Sequence, residues 1–156
     1  MSAEIEGMDE ILKKLEGLSE MHQRQALRRG MTKSTAVIRK KARDNAKQLD
    51  SSLSKEQIFK NVKSKAWKIR KGRPYLGASV GVLGGAKSVA TASGEIKGNG
   101  SGNPGGDTWY WRFLEFGTSK MAARPFLSTA LTSEEKKAIS ELKNGAEEAI
   151  QKILSN

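Results

Sequence analysis

The stretch Gly81–Ser88, GVLGGAKS, comes within one residue of a nucleotide-phosphate loop. Such a loop needs G-x-x-x-x-G-K-[ST], so that backbone amides cradle the phosphates while the lysine reaches their charge. Here Ala86 stands where glycine must precede Lys87, and its Cβ narrows the backbone conformations open to that position. A helix should also follow, and a Gly/Ser tract follows instead. GSGNPG from Gly100 satisfies G-x-G-x-x-G, but it contains Pro104 and precedes no helix, so chance accounts for it. His22 is the only histidine, and no Ser or Cys nucleophile pattern surrounds it. It reads as a solvated residue at a helix start. No His/Asp/Glu cluster has metal-ligand spacing, and there is no cysteine. Glu115 sits among aromatics, where burial could raise its pKa and make it an acid. The stronger reading is structural: it pairs with Arg112 or Arg124, or accepts bonds from the Gly117–Thr118 backbone. The chain is therefore read as a non-enzyme with no catalytic residue, no metal and no cofactor.

The remaining chemistry is charge. The chain carries 28 Lys+Arg against 17 Asp+Glu, a net +11. Residues 21–75 hold 17 of those cations and only 3 acids, so the excess is local and implies an anionic neighbour. Arg29, Lys33, Lys40, Arg43 and Lys47 recur at helical spacing as one stripe. Lys63, Lys65, Lys68, Arg70, Lys71 and Arg73 follow in a hairpin, with Trp67 and Tyr75 interleaved. Contacts from such residues to a nucleic-acid backbone would be sequence-independent and salt-sensitive. An acidic protein face fits the same residues. So does a solvated helix face beside a charged strand edge that blocks wrong pairing.

Positioning these residues takes helices first. MDEILKKLEGLSE sets Met8, Ile11, Leu12, Leu15 and Leu18 at the spacing of an amphipathic helix. A longer helix is expected from about His22 to Leu49, with Leu27, Met31, Ser34, Ile38, Ala42, Asn45 and Leu49 on its apolar face. It would be roughly 40 Å long, an element suited to spanning a subunit. LSKEQI reads as a fresh helix start, capped by Ser54 with Gln57 three residues on. Residues 62–83 read as a β-hairpin turning at Lys71–Pro74, with Gly77 and Gly81 weakening or bending its second strand. Gly84 to Asp107 is a long Gly/Ser/Asn loop with little to bury, expected to order on a partner. Residues 108–156 read as a strand, near 108–116, plus a C-terminal helix interrupted by Gly145.

The expected fold is α+β: one domain over 1–156, its small antiparallel sheet packed against a long N-terminal helix and a C-terminal helix. Only 37% of residues are hydrophobic, so the core is thin and burial is finished in an oligomer. No apolar run approaches the ~20 residues of a membrane helix. The acidic, polar first residues do not read as a secretory signal.

FLEFGTSKMAARPFL, Phe113 to Leu127, reads as a strand-to-helix elbow. Gly117 permits the sharp turn, Thr118 or Ser119 caps by side-chain bonding, Pro125 suits the first turn of the last helix, and Phe126 and Leu127 fold under the sheet. The wider run YWRFLEFGTSKMAARPFLSTAL closely resembles the signature of the HK97 gp10-like family of tailed-phage proteins. The matching positions are Tyr110, Phe113, Glu115, Phe116, Gly117, Thr118, Ala123, Pro125, Phe126 and Leu127. The order of elements elsewhere is also similar, while the helix start at Ser54 and the long loop depart from it. The resemblance implies a structural subunit of the virion neck or tail end, acting in tail completion or head–tail joining. It implies a homo-oligomeric ring, with a hexamer expected, and contact with other neck and tail proteins. DNA passing through the lumen is a further candidate partner, and no membrane is. The place implied is the virion, with assembly in the host cytoplasm. The alternative is a free, sequence-independent nucleic-acid-binding protein.

Overall fold

A computed structural model describes residues 7–50, 56–67, 75–83, 88–90, 96–98 and 103–155. The fold is α+β. Helix α1 (Met8–Glu16) carries Asp9 and Glu10 in its first turn and Lys13 and Lys14 in its last, matching the helix dipole. Ile11 and Leu15, one turn apart, are its buried pair. Helix α2 (Glu20–Lys47) is the long element expected, ending two residues sooner. Its last carbonyls are closed by the Leu49 and Asp50 amides, which both bond to Ala46 O.

Asp50 then starts the next element. Its Oδ1 accepts the Ile58 amide at 3.0 Å and its Oδ2 the Phe59 amide at 3.1 Å. That carboxylate caps the single turn α3 (Ile58–Asn61) from a distance in sequence. The helix therefore begins four residues after Ser54, which lies outside the described residues. Gln57 occupies the N-cap position without a side-chain cap bond.

Strand β1 (Val62–Ala66) pairs with β2 (Ala78–Val82). The Trp67 amide donates to Gly77 O at one end and the Leu83 amide to Asn61 O at the other, the antiparallel hairpin expected. Gly77 is more than a weak point in it. A Cβ there would stand 2.5 Å from the Trp67 ring, so the glycine makes room for the indole, whose N–H donates to Ser79 Oγ. The tip of the hairpin, with Lys68, Arg70, Lys71 and Arg73, lies outside the described residues.

The Gly84–Asp107 segment is not all loop. Strand β3 (Ser88–Ala90) pairs antiparallel with β4 (Ile96–Gly98), in the register Ser88↔Gly98. The rest of 84–102 lies outside the described residues. After it, helix α4 (Trp111–Phe116) replaces the strand expected near 108–116. Strand propensity for Tyr, Trp and Phe is largely a preference for half-buried surface, and one short helix serves it as well. The turn is set by the Trp111 amide on Thr108 O and closed by the Gly117 amide on Phe113 O. Helix α5 (Leu127–Leu154) completes the chain.

Contacts gather these elements into two compact units. The first holds Met1–Val37, Ser64–Ser79 and Glu134–Asn156; the second holds Ile38–Lys63 and Val80–Ser133. In the first unit Ile11, Leu15, Ala26, Ala146 and Ile150 are buried together. There α2 and α5 cross at two glycines: a Cβ on Gly145 would lie 2.9 Å from Gly30 Cα, and one on Gly30 would lie 2.4 Å from Leu142 O. In the second unit Ala42, Ala46, Ile58, Val62, Phe126 and Ala130 form the core. The fully buried line of α2 is thus Ala26, Gly30, Ala42 and Ala46, not the larger Leu27 and Met31 expected there. Small residues let backbones approach, and the larger ones flank the contact half-buried.

Candidate functional site

The elbow is built inside the second unit, and its centre is Glu115. This side chain is 5% exposed. Its Oε2 accepts the Phe126 amide at 2.8 Å and the Leu127 amide at 3.0 Å. Its Oε1 accepts the Ser128 amide at 2.9 Å and also the Ser128 hydroxyl. The first amides of a helix have no partner within it, so they are normally met by a residue at its N-cap. Phe126 stands at that position with no polar side chain, and Glu115 supplies the acceptor from α4 instead. Burial pushes the Glu115 carboxyl up, but the Ser128 hydroxyl and the three amides outweigh burial and hold it below the ordinary range. The group is therefore an ionised cap. It does not act as a raised-pKa acid, and its partners are not Arg112, Arg124 or the Gly117–Thr118 backbone.

The segment between α4 and α5 folds back to make this contact possible. Gly117 has φ +74°, and a Cβ there would meet Ala123 N at 2.8 Å and Met121 O at 2.9 Å. Thr118 and Met121 bond each other's backbone, and the Thr118 hydroxyl accepts the Lys120 amide at 3.2 Å. The Arg124 amide then reaches Leu114 O at 2.7 Å, closing the return. Pro125 lies just before the cap, outside the first turn of α5, and its carbonyl accepts the Thr129 hydroxyl. Ala123 lies in the exposed return. The elbow joins two helices, not a strand and a helix.

Burial divides the signature residues. Phe126 is 1% exposed, with Leu127 and Tyr110 packed at the edge of its cluster. The Phe126 carbonyl accepts Asn45 Nδ2 at 3.2 Å. Phe116, by contrast, is 73% exposed and Phe113 46% exposed. Phe113 is steadied by an edge contact with Trp109, their rings 5.7 Å apart. Met121 and Leu131 are exposed as well.

A second polar centre, Asn61, escapes the sequence reading. It is fully buried at the α3–β1 junction. Its Oδ1 accepts the Gly105 amide at 2.8 Å, and its Nδ2 donates to Gly106 O at 2.9 Å and to the Thr108 hydroxyl at 2.7 Å. A Cβ on Gly105 would stand 2.0 Å from Gln57 O. The end of the Gly-rich segment is therefore clamped in front of α4. The one available signal was a Gly-Gly pair ahead of an aromatic run.

The basic stripe is not uniform. In the first unit Lys33 pairs with Glu148 at 2.5 Å, and Glu148 is held below the ordinary carboxyl range by Lys33 and, more weakly, by Arg29. Arg29 also lines a groove of about 650 Å³ with His22, Arg28, Glu148 and Lys152. In the second unit Lys40 is exposed, while Arg43 Nε donates to Val62 O at 3.1 Å. Lys47 Nζ lies 5.3 Å from the Phe59 ring centre, and Lys60 Nζ lies 5.9 Å from the same ring. Lys60 was counted among the cations of residues 21–75 but not placed with the stripe or the hairpin. Among the described residues no group of three His, Cys, Asp or Glu is placed to hold a metal. No described helix is long and apolar enough to cross a membrane.

Compared with known proteins, the chain matches over residues 9–117 the model of the HK97-gp10-like family, assigned as a tail component of bacteriophage HK97. The match takes in parts of both units and ends at Gly117, so it includes Tyr110, Phe113, Glu115 and Phe116. Thr118, Ala123, Pro125, Phe126 and Leu127 follow beyond it. No curated protein and no solved structure matches the chain at a significant level.

Proposed function

The chain belongs to the HK97-gp10-like family of phage tail components, and from that premise we propose that it is a ring-forming structural subunit of the tail end or neck. Its role is tail completion or head–tail joining, in a homo-oligomer expected to be a hexamer. The observation that supports this reading most is the elbow. Its backbone is fixed by Glu115, Gly117 and the Arg124–Leu114 bond, yet it presents Phe116 and Phe113 to solvent. Aromatic anchors on a rigid support are the usual centre of a protein interface. The partners are copies of the chain and neighbouring neck and tail proteins. The place is the virion, after assembly in the host cytoplasm, and the subunit does no catalysis. Helices α2 and α5 each supply residues to both compact units, which supports one cooperative domain over 1–156.

The test is Phe116→Ser in the phage. The purified variant should melt like the parent, because the ring it loses is exposed. Particles made with it should accumulate as unjoined heads and tails. Normal joining with a normal melt would remove Phe116 from the interface and weaken the ring reading with it.

A free nucleic-acid-binding protein remains the second reading, favoured only by the local charge. The two differ in where the protein is found: bound within tailed particles, or left in the lysate.

A further inference from the structure

We infer that the second unit carries a contact site for the phosphodiester backbone of duplex DNA, formed by Lys47 and Lys60 around Phe59 with Arg43 beside them. The inference rests on the ring-subunit reading and deepens it by naming which residues face the DNA. Lys47 comes from α2 and Lys60 from α3, yet both ammonium groups stand within 6 Å of one ring centre. Arg43 precedes Lys47 by one helical turn, and its Nε bond to Val62 O ties it to the start of β1. Three cations from two elements are thus gathered at one place.

Among the described residues no carboxylate forms an ion pair with Arg43, Lys47 or Lys60. Of the two acids between Lys47 and Lys60 in the chain, Asp50 spends both oxygens on the amides of α3, and Glu56 is not free either. Like charges held together without a counterion repel, and a polyanion relieves that repulsion while releasing its own counterions. The other end of the stripe differs: Lys33 is already paired with Glu148, which also interacts with Arg29. The stripe therefore has one neutralised part and one open part.

The chemistry favours phosphate over an acidic protein. Phe59, the apolar group at the centre, is half-buried and packs on the unit's own core. The cluster offers charge but no exposed anchor of the kind a protein interface needs. Point-charge lysines without base-reading side chains suit sequence-independent backbone contact.

The test is a salt titration of full-length protein on a fluorescein-labelled duplex of mixed sequence. Parent, Lys47→Gln/Lys60→Gln and Arg29→Gln/Lys33→Gln are compared, with melting curves for each. The parent should lose affinity log-linearly with salt, and the first variant should flatten that slope by about two. The second variant should keep the slope, and Lys47→Arg/Lys60→Arg should restore it. Absence of salt-dependent binding by the parent overturns the inference, as does equal loss in both Gln variants. Binding of a poly-glutamate peptide through Lys47 and Lys60, with none to DNA, overturns it in favour of an acidic protein partner. Failure of the ring reading looks different: the protein would be missing from particles, whatever the DNA slope. If the inference holds and the ring forms, Lys47→Gln/Lys60→Gln particles contain the subunit and joined tails but retain or eject DNA poorly.

Discussion

The Glu115 carboxylate accepts the Phe126 amide at 2.8 Å, so a residue in the last turn of one helix caps the start of the next. Phe126 is at once the N-cap of α5 and the largest fully buried side chain of the described chain. One hydrogen-bonded contact therefore fixes both the direction of α5 and the seating of its aromatic anchor.

Replacing Glu115 by Gln keeps the size but removes the ionised acceptor. Losing a charged cap that serves three amides should cost about 1–2 kcal/mol, read by chemical denaturation at neutral pH. Acid sharpens the test. The folded pKa lies below the unfolded one, so ionised Glu115 adds stability that is fully present above the ordinary glutamate value, about 4.3. That stability is lost as pH falls through the folded value. The parent should weaken across this window, and Glu115→Gln should weaken less. Identical pH profiles would mean that the cap is not what holds the elbow.

Phe126→Ala should destabilise the second unit by roughly 3–5 kcal/mol, because the ring is enclosed by Ala42, Ala46, Ile58, Val62 and Ala130. A melt within 1 °C of the parent would contradict its place in the core. Phe116→Ser, ten residues earlier and 73% exposed, should leave the melt unchanged.

Gly145→Ala gives opposite answers from local and tertiary reasoning. Helix propensity alone predicts a gain of about 1 kcal/mol. The Cβ would stand 2.9 Å from Gly30 Cα and 3.2 Å from Arg29 O, both backbone atoms. Overpacking of that kind should destabilise by about 1–3 kcal/mol. The sign of the change, measured by thermal unfolding, decides between them.

These cases show what the sequence disclosed. Periodicity placed α1, α2 and α5, because each has an apolar face that repeats along one element, and the turn residues Lys71–Pro74 placed the hairpin. Gly145 read as a cost and Gly30 drew no notice, since closeness between α2 and α5 is a property of the pair. The aromatics of Trp111–Phe116 suggested a strand, since they signal burial and not backbone geometry. Glu115 was legible as structural but not as a cap, because its partners lie 11–13 residues away. Lys60 and Asn61 were invisible for the same reason: their roles depend on Phe59 meeting Lys47, and on Gly105 meeting the α3–β1 junction.

Asn61→Ala removes the acceptor of the Gly105 amide and two donated bonds from a fully buried position. The Gly105 and Gly106 amides should exchange with solvent far faster, and stability should fall by about 1–3 kcal/mol. Unchanged exchange at Gly105 would show that the clamp is not needed to hold that turn.

The central claim, a ring subunit at the tail end or neck, is tested most directly by cryo-electron microscopy of purified tailed particles made with the chain. The account predicts a closed ring of identical copies, six expected, at the tail end or neck, with Phe116 at a subunit or neighbour contact. Tailed, infectious particles that contain no copy of the chain would contradict it.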